Sequence, residues 1–385
     1  MFSILLITFN LEGYTLKFSI NQKDLYNALN IVRRAVAKNQ TLPILTGIFL
    51  SLENNTLTLK STDLELGIKY NLKVEGQTDG SIVLPATQFL NIIRELPNEE
   101  VKIELNQDKW QLQIKCLNSL FKINGYDPDE FPNLPQVEES AKFNLPSIKF
   151  KEMIKKVRIS TSKDETQPAL TGALFEVEAE RVKMVSTNTY RLSYIEAPLK
   201  TSVNEKIAVI LPGSTLQELN NLLEDEGSVS IEVDSNYVRF NFNGIEVISR
   251  LIEGKFPNYE LVIPDESNSK FSADLSQLHG AVKRASLIAK LDANIITLMA
   301  DDGLMEINSV EGNSGYAHEE VNIDIEGPEQ KINIDAGYFI DVLKVLDSEE
   351  INIEMIGPLN PLVVKSETEA GDKFIYLIMP VRSQS

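Results

Sequence analysis

Three stretches share one pattern: IVLPATQFLNIIREL from Ile82 to Leu96, VILPGSTLQELNNLL from Val209 to Leu223, and INIDAGYFIDVLKVL from Ile332 to Leu346. Each reads as a short apolar strand, a turn at Pro85, Pro212 or Asp335, and an amphipathic helix with apolar residues at three- and four-residue spacing. Within a few acidic residues each is followed by an alternating segment, VKIEL (101–105), VSIEV (229–233) or INIEM (351–355), with the period of two of a half-buried strand. The turn residues stand 127 and 123 residues apart; FPN at 131–133 recurs at 256–258, and Met379 and Pro380 stand near the end of the third copy. A repeat this long is a duplicated domain, because solenoid units run about 20–50 residues. The chain is therefore expected to hold three α+β domains, near 17–139, 140–265 and 266–385, each with two helices and several strands.

The chain of 385 residues carries 37 Lys and Arg against 56 Asp and Glu, a net charge of −19. At face value that argues against a protein held to nucleic acid by its overall charge. The charge is segregated, however. The first helix of each copy spans 23–38 at +3, 147–163 at +5 and 275–290 at +3, so these segments hold +11 and the remainder −30. At about 100° per residue, Leu25, Leu29, Val32 and Val36 form one stripe and Lys23, Asn27, Asn30, Arg34 and Lys38 the opposite one. Phe150, Met153, Ile154 and Val157 face a core while Lys155, Lys156 and Lys163 point away; Leu278, Val282 and Ala285 face inward while Lys283 and Lys290 point out. Three aligned basic faces would make a track for a polyanion, and the acidic remainder would discourage binding elsewhere. The second helices weaken this picture, since 214–226 carry four acids and no base.

Two histidines, His279 and His318, and one cysteine, Cys116, are too few for a tetrahedral His/Cys metal site or an internal disulfide. No G-x-S-x-G, G-x-x-x-x-G-K-[ST] or G-x-G-x-x-G string occurs, which removes the common nucleophile elbow and phosphate loops. No catalytic residue, metal or cofactor is expected. The apolar run from Phe2 to Phe9 lacks a preceding Lys or Arg and a following small-residue cleavage site, and is far short of the roughly 20 residues that cross a bilayer. It reads as a start-site extension or a short added strand, in a cytoplasmic protein with no membrane partner.

Several strings, in order, resemble the bacterial DNA polymerase III beta subunit, the sliding or processivity clamp: KFS at 17–19, TLPIL at 41–45, STDLE at 61–65, LTG at 170–172, TNTYRL at 187–192, FPNY at 256–259 and YLIMPVR at 376–382. The resemblance sets residues 1–16 apart as an extension, with translation expected to begin at Leu16 from a non-AUG codon. It implies an α+β fold of three repeated DNA-clamp domains, two helices in each lying on one side of antiparallel sheets, the chain forming half of a closed ring. The implied function is non-enzymatic: a head-to-tail homodimer that encircles duplex DNA without reading sequence and tethers the replicative polymerase, the clamp loader and repair polymerases through short linear motifs. Unlike-ended arcs must close or polymerise, which agrees with a ring.

Carried over residue by residue, the partner-peptide pocket maps onto Leu170, Thr187, Tyr190, Arg191, Leu192, Pro257, Val262, Leu359, Ile378, Met379, Pro380, Val381 and Arg382. Thr189 stands where the family usually has glycine, and Ser383 to Ser385 extend past its usual end. Phe121 would face Leu287 and Ile288 across the dimer interface. The DNA-facing set is Arg34, Lys38, Lys155, Lys156, Lys163, Lys283 and Lys290, with Asn39 at the family's basic loop position. Two other classes fit the residues alone: an acidic hydrolase built on paired carboxylates, and an acidic peptide-binding scaffold that never meets DNA.

Overall fold

The computed structural model describes residues 14–38, 42–138, 141–309, 315–368 and 371–382, with no account of the side chains of Tyr14 and 200–205. The repeated pattern folds three times. The helices in chain order are α1 (Gln22–Val32), α2 (Ala86–Glu95), α3 (Ser147–Arg158), α4 (Gly213–Leu222), α5 (Leu275–Ala289) and α6 (Ala336–Leu343). They pack in pairs, α1 on α2, α3 on α4 and α5 on α6. The helix starts follow from the turn residues. Pro146, Pro85 and Pro212 precede α3, α2 and α4, while Asn21, Asp274 and Asp335 accept backbone N–H groups of Lys23, Gln277 and Tyr338 and so cap α1, α5 and α6.

The alternating segments are strands Glu100–Asn106, Ser228–Val233 and Glu350–Met355. Their inward residues, among them Val101, Ile103, Leu105, Ile231, Ile351 and Ile353, are at most 1% exposed, and burying each such side chain stabilises the fold by about 1.5–3 kcal/mol. All strand pairs with a described register are antiparallel, as in Phe18 opposite Ile103 and Phe271 opposite Ile353.

The chain forms two compact units. One contains the first repeat and takes in Val229–Arg250 from the second, because strand Ile245–Arg250 pairs along Leu66–Lys73. Its other sheet has five strands and ends on Ser119–Asn124. The second unit holds Phe143–Ser228 and the chain from Leu251 onward, with Arg191–Pro212 paired to Lys373–Ile378 inside a ten-stranded sheet. Packing thus crosses the repeats, since a strand edge left open by one copy is taken up by the next.

One expectation changes. The first helix ends at Val32 and continues as a 3₁₀ turn, Arg33–Ala35, so Val36 is only half-buried rather than part of the core stripe. The first strand begins at Tyr14, with Tyr14 opposite Asn106 and Thr15 opposite Leu105. The apolar run 2–9, Asn39 and Ser383 to Ser385 lie outside the described residues.

Candidate functional site

The pocket begins with a turn that the chain makes twice. Ser61 donates to the carbonyl of Val32 at the end of α1, and Ser186 donates to that of Val157 near the end of α3. Asp63 Oδ1 then accepts the N–H groups of Glu65 at 3.0 Å and Leu66 at 2.7 Å; Asn188 Oδ1 accepts those of Tyr190 at 3.1 Å and Arg191 at 3.0 Å. Thr62 and Thr187 accept through Oγ1 from Leu64 and Thr189. Those two residues have left-handed backbones, with φ of 78° and 74°. The requirement for positive φ explains why glycine suits position 189, where this chain places a β-branched residue at a cost. The neighbouring strand closes each turn identically: Arg250 N–H donates to Glu65 and Met379 N–H to Tyr190, both at 2.8 Å.

The two copies then diverge. Leu66 occupies the place of Arg191, and Leu134 lies so close over Gly67 that an added Cβ there would meet it at 2.6 Å. At the second copy a cavity of about 250 Å³ opens, lined by Thr187, Thr189, Arg191, Leu192, Pro257, Asn258, Tyr259, Val262, Leu377 and Met379. Below it sits a packed apolar layer that includes Leu170, Leu192, Tyr194, Phe256, Tyr259 and Leu377.

Polar groups make the walls rigid. Arg191 donates to Asp341 at 2.7 Å and lies 4.3 Å from the centre of the Tyr338 ring, while Tyr376 donates to the carbonyl of Tyr338 at 2.9 Å. Burial works against the Arg191 charge, but Tyr376 and Asp341 outweigh it and hold its pKa above the ordinary value. Tyr259 donates to Glu176 at 2.9 Å and Tyr194 donates to Glu196; burial first, then these carboxylates, push both phenols above their ordinary range. Arg191 therefore stays charged and the two phenols neutral at neutral pH, and a mainly apolar cavity with a few fixed polar groups suits a side chain of a ligand.

Of the pocket residues expected from sequence, Thr187, Arg191, Leu192, Pro257, Val262 and Met379 line the cavity. Leu170 lies in the apolar layer beneath, and Ile378 is fully buried. Tyr190 and Leu359 are 63% and 74% exposed and do not line it, nor do Pro380, Val381 and Arg382, although Val381 N–H bonds the Asn333 carbonyl at 2.8 Å. Asn258, Tyr259 and Leu377 line it too and are not among the residues expected from sequence. The first two belong to the FPNY string, and Leu377 could be found as the residue opposite Leu192 across the strand pair.

The basic helices are less free than their charge suggests. Lys156 does not point away as expected: it is 7% exposed, and its Nζ lies 2.5 Å from Glu152 and 5.4 Å from the centre of the Phe374 ring. The cause is local, since Glu152 sits one turn before it. Lys149 pairs with Glu152 and Asp372, Lys151 with Asp225 and Lys155 with Asp347 at 3.1 Å. Lys38, Lys163, Lys283 and Lys290 are exposed, and Arg34 is half-buried. At the expected dimer surfaces, Phe121 is 39% and Leu287 64% exposed, whereas Ile288 is half-buried.

Comparison with known proteins agrees with this architecture. Models of the DNA polymerase III beta subunit match in order: the N-terminal domain at residues 16–135, the central domain at 144–258 and the C-terminal domain at 260–382. The beta sliding clamp of Staphylococcus aureus (strain Mu50) is 32% identical over 379 residues, covering 96% of this chain and all of that protein. The Bacillus subtilis DNA polymerase sliding clamp has 30% identity and a TM-score of 0.91, and the putative DNA polymerase III beta subunit of Eubacterium rectale 31% and 0.89; each alignment covers 96% of this chain and 100% of the other. The chain belongs to the DNA polymerase III beta subunit family, the beta sliding clamps, and is a non-catalytic processivity factor.

Proposed function

We propose that two copies of this chain join head to tail into a ring around duplex DNA, with Phe121 against Leu287 and Ile288 of the partner subunit. The observation that carries this is that each of the two compact units presents exposed apolar residues. Leu117, Leu120 and Phe121 lie on the hairpin ending in Ser119–Asn124, and Leu287 and Leu291 lie on and just after α5. The hairpin strand is also the edge of its sheet, so it can take another strand.

Lys38, Lys163, Lys283 and Lys290, with Arg34 and Lys155, are the proposed phosphate contacts, positioning without base readout. The cavity at Thr187, Arg191, Leu192, Pro257, Val262 and Met379 is the proposed seat for short linear motifs of the replicative polymerase, clamp loader and repair polymerases. The domains are placed at 17–139, 140–265 and 266–385, and the ring is placed in the cytoplasm with the replicating DNA. No helix among the described residues is long and apolar enough to cross a membrane. Sedimentation of the chain of 43.2 kDa tests the assembly. The expected mass is that of a dimer, converted to monomer by Phe121→Asp; a monomer at all concentrations would overturn the ring.

A further inference from the structure

We infer that the peptide taken by this clamp carries a basic residue beside its apolar anchors, because the pocket continues onto an apolar shelf set in an acidic rim. This rests on the cavity being the peptide site. At about 250 Å³ the cavity is smaller than the roughly 300–1,000 Å³ of complete small-ligand pockets, so it houses one or two side chains and leaves the rest of a peptide on the surface beside it.

The adjoining surface is the single 3₁₀ turn Tyr259–Val262. Tyr259 and Val262, three residues apart, share the face that lines the cavity. Leu261 points to solvent between them in sequence and is 82% exposed, the largest value among the large apolar side chains of the described residues; Val262 is 49% exposed. Val262, which both lines the cavity and is exposed, is followed back along the chain by the exposed Leu261, and the two can cover a second apolar side chain of the same peptide.

The chain on either side of this turn is mostly acidic. Residues 253–266 carry Glu253, Glu260, Asp265 and Glu266 against Lys255, a net −3. Glu260 is exposed and directly precedes Leu261. Arg191, the cation in the cavity wall, is already paired with Asp341 and is 11% exposed, so it offers little to an acidic ligand. A peptide whose apolar residues are flanked by Lys or Arg is thus favoured over one flanked by Asp or Glu, chiefly through exposed charges whose effect salt screens.

The test uses the full chain and three labelled peptides with the same adjacent Leu and Phe, bracketed on both sides by Lys, Ser or Asp. Fluorescence anisotropy at low salt should rank them Lys, Ser, Asp, with a three- to tenfold spread in Kd that closes at high salt. Glu260→Lys should erase the spread, and Leu261→Ser should weaken all three peptides several-fold without altering the fold, since that side chain is solvent-exposed. Equal affinities, or tighter binding of the Asp peptide, while Met379→Glu still abolishes binding, would overturn the charge rule and leave the pocket standing. Unchanged binding of every peptide to Met379→Glu would overturn the pocket and this inference together.

Discussion

Thr189 is the residue at which sequence and structure meet most directly. Its φ of 74° is shared with Leu64 in the first repeat, and both positions are dictated by the Asx-type turn that Asn188 and Asp63 close. Replacing Thr189 by glycine relieves the left-handed strain but loosens the unfolded chain, so Thr189→Gly should gain about 0.5–1 kcal/mol. Urea unfolding checks this: the midpoint should rise at constant slope, and a lower midpoint would contradict the strain. The departure from glycine was visible in the sequence, but its meaning was not. The φ angle depends on hydrogen bonds that a string of letters does not show. Lys156 illustrates the opposite error, because a helical projection placed it outward while Glu152 and the Phe374 ring draw it in.

At the scale of the element, α3 is an ion-paired helix more than a bare basic face. Glu152 accepts from both Lys149 and Lys156; burial raises its pKa, yet these bonds outweigh burial and leave it below the ordinary value of 4.5. A depressed carboxylate contributes stability above its unfolded pKa that is lost as pH falls through the folded one. Stability should therefore decline on acidification below about pH 4.5, and Glu152→Gln should flatten part of that decline in urea titrations at pH 3 and 7. An unchanged acid limb would remove Glu152 from the cause. The helix and the loop after it give a contrast in DNA binding: Lys163→Ala should lower the slope of log K against log salt by about 1, while Lys156→Ala should leave it unchanged. Equal losses would put both lysines in the DNA-facing set. At the other end of the chain, removing residues 379–385 takes away the Met379 bond to Tyr190 and one wall of the cavity, so polymerase stimulation should disappear while the dimer persists. Element types were legible from period and turn residues. The partners of α3 were not, because Asp225, Asp347 and Asp372 lie far along the sequence.

For the whole molecule, the threefold repeat was legible because duplicated domains keep the spacing of their turns. The two compact units were not, since they arise where strands of one copy extend the sheet of another. The net charge of −19, which at face value speaks against a nucleic-acid partner, fits the proposed ring, which would hold DNA by enclosure and need only modest attraction on one surface. Enclosure makes a claim that affinity does not: the protein leaves DNA only at an end. The direct measurement is to load it onto a nicked circle with a clamp loader, isolate the complex and cut the circle once. The clamp should stay on the intact circle and run off after linearisation; retention on the linear product, or equal loss from the uncut circle, would contradict a closed ring.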